Sequence, residues 1–271
     1  MNRETLLRKL EEGNRVYGTC VTATSPLWIT TIAKTGINFV FIDTEHIPLD
    51  RAALAALCQH FQALNVTPIV RITSPDPYLA CQAIDGGAIG IVAPYLESIA
   101  QFKTLIGAIK YRPLKGEKLD HILNGQESMT LELETYIQNY NRGNLFIANI
   151  ESVPALDRLE ELLSEPEVDG VFIGPHDLSV SMGIPEQYDH PEFEAAVRQI
   201  IHTTRSKGKH IGIHFSLEPE RQVKWIQEGV NMVVHSFDIA LFKQKLMADM
   251  TRIKSEVGDA VVQSTEAELI I

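Results

Sequence analysis

Residues 39 to 50 read FVFIDTEHIPLD, four apolar residues giving way to Asp43, Glu45 and His46 before Pro48 ends any strand. Two carboxylates and an imidazole delivered by a dry segment can hold a cation, fix a guanidinium or move a proton. Comparable polar groups end other apolar runs. Arg71 closes PIVR, Asn149 and Glu151 close IANIE, His176 and Asp177 follow VFIGP, and His214 and His235 lie within HIGIHF and NMVVHS. Glu151 and Asp177, with space for water, suit a hard divalent ion such as Mg²⁺ or Mn²⁺. No HExxH or cysteine cluster points to zinc instead. Arg71 supplies positive charge for an anionic substrate, and the turn IGPHDLS presents backbone N–H groups at a helix start.

Each residue has a plainer alternative. Glu151 could serve a surface ion pair, Asp177 a helix N-cap, and His46 a loop hydrogen bond. Arg71 could be a structural partner of an acid, and His214 and His235 merely solvated. Lysine is missing from the strand ends: Lys110, Lys115 and Lys118 fall between runs four and five. A Schiff base needs a desolvated lysine in the site, so the pattern favours metal-assisted enolate chemistry.

The elements that must position these groups recur along the chain. Short apolar runs occupy 16–21, 39–44, 67–72, 89–94, 145–150, 170–175, 210–215 and 231–236. Most lack alternation, as expected for parallel strands buried on both faces. Amphipathic helical stretches such as DRAALAALCQHFQAL separate them. Eight strand–helix units predict a single α/β domain over 1–271, a (β/α)8 barrel whose strand ends share one mouth. An open doubly wound sheet would carry a glycine-rich phosphate turn, and no GxGxxG or GxxxxGK[ST] occurs. Residues 103–143 form the long interruption, expected over the active-site face as a lid or subunit contact, and 255–271 form a C-terminal tail.

With 45% hydrophobic residues the chain can fill a large core, and its formal charge of −11 disfavours nucleic acid and anionic membranes as partners. Cys20, Cys58 and Cys81 have no metal-type spacing and read as small apolar residues in a reducing compartment. The charged start MNRETLLRKLEEG has no signal-peptide core, and no apolar run would span a bilayer. A cytoplasmic location is expected.

From about residue 14 to 250 the chain resembles the HpcH/HpaI aldolases, metal-dependent class II pyruvate aldolases. FIDTEHIPLD, PIVRI, GAIGIVAPYLES, IANIES and VDGVFIGPHDLSVSMG carry the similarity. The resemblance implies a barrel of the phosphoenolpyruvate/pyruvate-binding type, its last helix exchanged between subunits of a homo-hexamer. It implies a divalent metal (Mg²⁺, Mn²⁺ or Co²⁺) on Glu151 and Asp177, with Arg71 stabilising an enolate. It also implies His46 in acid–base catalysis through water, with Asp85 as its carboxylate partner, although Asp85 precedes strand four. Asp43 and Glu45 are supporting residues. The expected reaction is cleavage of a 4-hydroxy-2-oxoacid to pyruvate and an aldehyde. The alternatives are an acyl-CoA lyase of the citrate/malyl-CoA type and a non-catalytic 2-oxoacid-binding barrel. Departures cluster around the substrate: Asn149 stands for a glutamine, His176 for a small residue, Lys118-Leu119 for Arg-Gly, and His235 for a glycine-like position. Imidazoles at 176, 214 and 235 are expected at the mouth, titrating near neutrality and favouring a polar aldehyde.

Overall fold

The computed structural model describes residues 3–215 and 219–260. Its strands are β1 (Val16–Val21), β2 (Phe39–Asp43), β3 (Thr67–Arg71), β4 (Gly90–Ala93), β5 (Leu145–Ile150), β6 (Gly170–Ile173), β7 (His210–Phe215) and β8 (Met232–Phe237). All pair in parallel, each with the next, and β8 returns to β1 to close the barrel. Side chains alternate across the wall. Phe39, Phe41, Ile69, Val92, Ile147, Phe172 and Val234 fill the interior, whereas Val40, Ile42, Val70, Ile91 and Phe146 meet the helices. Because both faces are covered, the strands carry unbroken apolar runs. Interior bulk is matched by small residues: a Cβ on Gly212 would lie 2.7 Å from the Phe172 ring.

The helices are α1 (Arg3–Glu11), α2 (Pro26–Ala33), α3 (Arg51–Ala63), α4 (Pro77–Asp85), α5 (Ile99–Lys110), α6 (Gly116–Leu123), α7 (Leu131–Tyr140), α8 (Val153–Asp157), α9 (Leu159–Leu162), α10 (Pro175–Ser181), α11 (Pro191–Ser206), α12 (Pro219–Glu228) and α13 (Asp238–Val257). Their starts carry the expected chemistry. Asp50 accepts from the Ala53 N–H at 2.8 Å, and Ser98 and Gln101 form a reciprocal capping box at α5. α1 plugs one end of the barrel, its Leu6 and Leu10 joining the interior cluster. No described helix is long and apolar enough to cross a membrane.

The interruption between β4 and β5 lies elsewhere than expected. α5 runs back along the barrel before the extra residues begin, so they emerge at the N-terminal ends of the strands. There Arg112 pairs with Asp85, Tyr111 donates to Glu167 at 2.8 Å, and Lys110 meets Asp169 at 2.6 Å. These acids all precede strands. α6 lies against the outer side of α5, Leu119 and Leu123 crowding Gly107. The segment therefore braces the end opposite the mouth and does not cover the active-site face.

α13 is the unusual helix. Its first residue, buried Asp238, accepts from the Thr22 N–H and hydroxyl (3.1 and 2.6 Å), the Ala23 N–H (3.1 Å) and the Trp28 indole (2.8 Å). Past that anchor Phe242 touches Trp28 edge-on at 6.1 Å, yet Ile239, Phe242, Leu246, Met250, Ile253 and Val257 remain exposed along the helix. A cavity of 330 Å³ is left outside β1 and β8, lined by Tyr17, Trp28, Ile32, Ile37, Val233 and Leu241 among others. The expected tail at 255–271 begins within this helix; residues 261–271 lie outside the described residues.

Candidate active site

Strand register sets the first half of the mouth. Asp43 ends β2 directly opposite Arg71, the last residue of β3. Interior alternation through Phe39 and Phe41 turns Asp43 inward, where it is 1% exposed. Arg71 grips it with two hydrogen bonds, Nε to Oδ1 at 2.8 Å and Nη2 to Oδ2 at 2.6 Å. Burial alone would raise the Asp43 pKa, but the Arg71 hydrogen bonds and charge outweigh it and hold the carboxyl below its usual range. Burial likewise opposes the Arg71 charge, and Asp43 overrides that, so the guanidinium stays charged. Glu45 lies 3.2 Å from Arg71 Nε, its own N–H donating to Asp43 at 3.0 Å. His46 is exposed, with Nε2 3.9 Å from the Glu45 carboxylate.

Glu151 faces this group. It follows β5 and is 4% exposed, accepting the Tyr95 N–H at 2.8 Å and the Asn149 side-chain amide. Gly174 makes room for it, since a Cβ there would lie 2.9 Å from Glu151 Oε2 and 3.0 Å from its Cβ. Burial raises the Glu151 pKa to about 7; the Tyr95 N–H opposes the shift, and the charges of Asp177 and Glu45 add to it. Asp177 stands in the first turn of α10, whose N-cap is Gly174, so a capping role is not what places it there.

Other expected members fall outside. His176 is exposed and turns to Glu186 at 3.5 Å. His235 is a neighbour of Phe215 in the sheet, and alternation turns it outward, into the cavity beside Trp28 and α13, where its Nδ1 has no hydrogen-bond partner among the described residues. His214 does face inward, under the mouth, 6.0 Å from the Phe41 ring with Nε2 3.2 Å from the Ser236 carbonyl. Burial and the charge of Arg71 pull its pKa to about 4, so it is neutral at neutral pH, contrary to the expected titration. Asp85 ends α4 at the opposite end of the barrel, its side chain 68% exposed beside Arg112, and does not reach His46 within one chain.

Tyr95 and Gly174 were not singled out by the sequence. Tyr95 follows Pro94 at the end of β4 with φ +54°, and its exposed phenol lies beside Glu45, which pushes the phenol pKa up to about 12. The only available signal was its place immediately after a strand.

The mouth is thus acidic. Asp43, Glu45, Glu151 and Asp177 face one arginine that two of them already engage, so an anionic substrate would be repelled without an added cation. A divalent ion between Glu151 and Asp177 would relieve both the burial of one carboxylate and its repulsion by the other. The residues therefore fit a hard cation held by two protein oxygens. Among the described residues no group of three or more His, Cys, Asp and Glu side chains is placed to hold a metal.

A parallel (β/α)8 barrel carries its chemistry at the C-terminal ends of its strands, and that end here gathers the carboxylates and Arg71. Residues 17–244 match the family model described as HpcH/HpaI aldolase/citrate lyase, and the chain belongs to that family. It is an aldolase, a carbon–carbon lyase. A 2-keto-3-deoxy-L-rhamnonate aldolase of Salmonella gallinarum is 27% identical over 91% of both chains. Among solved structures, the citrate synthase SbnG is 27% identical with a TM-score of 0.80, covering 94% of this chain and 99% of that one. An HpcH/HpaI aldolase from Desulfitobacterium hafniense shares the fold, with a TM-score of 0.79 and 24% identity over 92% of this chain and 96% of that one.

Proposed function

We propose that the chain cleaves a 2-oxo-3-deoxy sugar acid, or a similar 4-hydroxy-2-oxoacid, to pyruvate and an aldehyde, and catalyses the reverse addition. The observation that carries this is the buried Glu151 carboxylate, within the field of Asp177 and facing the clasped Arg71 across one mouth. The similar 2-keto-3-deoxy-L-rhamnonate aldolase supports the substrate class.

Glu151 and Asp177 would hold a divalent ion, Mg²⁺, Mn²⁺ or Co²⁺, which when bound supplies Lewis acidity to a ketone oxygen. Arg71, kept charged and oriented by Asp43, directs its remaining N–H donors at the 2-oxo group and stabilises the negative charge that grows there. Asn149, beside Glu151, offers an amide to the substrate carboxylate. His46 accepts the 4-hydroxyl proton, directly or through water. As that proton leaves, the C4–O bond becomes a carbonyl and C3–C4 breaks. Its electrons form the enolate, which takes a proton at C3 to give pyruvate. His176 and His235 have no part in this scheme, and His214 acts only as a neutral floor.

Release of pyruvate from 2-keto-3-deoxy-L-rhamnonate, lost in excess chelator and restored by Mg²⁺ or Mn²⁺, tests this function. Turnover undiminished by chelator would remove the metal from it. Turnover of malyl-CoA or citryl-CoA alone would favour the acyl-CoA lyase alternative, and binding of pyruvate without turnover the non-catalytic one.

The exposed stripe on α13 and the cavity beside its root support a homo-oligomer, expected as a hexamer, in which α13 of one subunit packs against another. A stripe of this length is more than a soluble monomer ordinarily leaves to water.

A further inference from the structure

We propose that Tyr95 determines specificity for the aldehyde half of the substrate, its phenol selecting a hydroxyl-bearing acceptor; the proposal rests on the aldolase function above. At φ +54° an aromatic residue is strained, and such conformations persist only where the surroundings hold them. Here both backbone groups are held. The N–H donates to Glu151 Oε1 at 2.8 Å, and the carbonyl accepts from Gln101 Nε2 at 3.2 Å. Gln101 is itself fixed by the capping box with Ser98.

The ring does not repay that strain by packing. Tyr95 is 53% exposed, while the next residue, Leu96, is wholly buried. Glycine would be the unstrained choice for the backbone, so the aromatic side chain has another use. Its hydroxyl lies beside Glu45 and within the field of Glu151 and Asp177. With its proton directed to Glu45, the phenol oxygen keeps lone pairs free to accept from a substrate hydroxyl.

The direction of the substrate places these lone pairs. Its 2-oxoacid end is drawn to Glu151, Asp177 and Arg71, above the inward-facing His214. Its remaining carbons must leave toward solvent, past the exposed His46 and Tyr95. A hydroxyl beside the new carbonyl can donate to the phenol, whereas a methyl group there would desolvate it without return.

The test compares kcat/KM for addition of pyruvate to glycolaldehyde and to propanal, which exchange a hydroxyl for a methyl group at nearly constant size. Tyr95→Phe keeps the ring, and Tyr95→Gly keeps the backbone conformation and its N–H to Glu151. Both variants should lower the glycolaldehyde-to-propanal ratio by roughly 3- to 10-fold, the value of one hydrogen bond. Wild-type enzyme that is active but has the same ratio as Tyr95→Phe, within twofold, overturns the proposal. So does a ratio that moves only in Tyr95→Gly, which would assign selection to the ring. Wild-type enzyme inert toward both aldehydes would instead overturn the aldolase function and this proposal with it.

Discussion

Asp43 and Arg71 are register partners on adjacent strands, joined by two hydrogen bonds of 2.8 and 2.6 Å at the bottom of the mouth. The pairing fixes the guanidinium plane before substrate arrives, and only arginine can make it with both bonds. Arg71→Lys should retain the charge but lose kcat by about 10²-fold, in the range for one lost donor at a developing oxyanion. Asp43→Ala leaves a buried guanidinium without its main partner and should cost about 3–5 kcal/mol of stability. Denaturant titration and steady-state kinetics check both. A fully active Arg71→Lys would show that the two-bond geometry is not used.

Glu151→Ala and Asp177→Ala should each reduce cleavage by at least about 10²-fold, comparable with losing a principal electrostatic group. Both should also weaken Mn²⁺ binding, measured by calorimetry without substrate. Unchanged Mn²⁺ affinity in both variants would place the cation elsewhere.

Glu151 also predicts a pH dependence of stability. Its carboxyl ionises near 4.5 when unfolded and near 7 when folded. Between those values the unfolded chain releases a proton that the native chain keeps, so metal-free protein loses stability as pH rises from 4.5 through 7. The loss is at most about 3 kcal/mol. Relative to the wild type, Glu151→Gln should therefore gain stability on going from pH 5 to pH 8 in chelator. Parallel urea curves for the two proteins at both pH values would contradict the burial of an ionisable Glu151.

His46→Ala should separate two steps. Cleavage should fall by about 10²–10⁴-fold, the usual contribution of a general acid–base, while exchange of the pyruvate methyl protons, followed by NMR in D₂O, continues. Arg71→Ala should lose both, because it acts on the enolate. Equal loss of exchange and cleavage in His46→Ala would assign His46 to enolate formation.

Phe242→Asp combined with Leu246→Asp places two charges on the exposed stripe of α13. If that stripe is covered by another subunit, light scattering should show the oligomer falling to the 30.2 kDa chain. An unchanged mass would leave α13 outside the interface.

The sequence by itself determined the barrel. Apolar runs such as FVFID and LFIANI can be satisfied only when both faces are covered, and capping groups such as Asp50 and Ser98 mark where helices begin. It also located Asp43, Arg71, Glu151 and Asp177, because a parallel barrel collects strand ends at one mouth. Tertiary structure decided what local pattern does not encode. Whether a histidine near a strand end faces the mouth depends on parity, which a single residue shift reverses: His214 points inward and His235 outward. Asp85 and the segment after α5 went to the far end because the intervening helix runs back along the barrel. Tyr95 entered the site through a left-handed turn held by Glu151 and Gln101, partners 56 and 6 residues away in the chain. Its backbone conformation follows from those distant contacts, and its own residue type disfavours it.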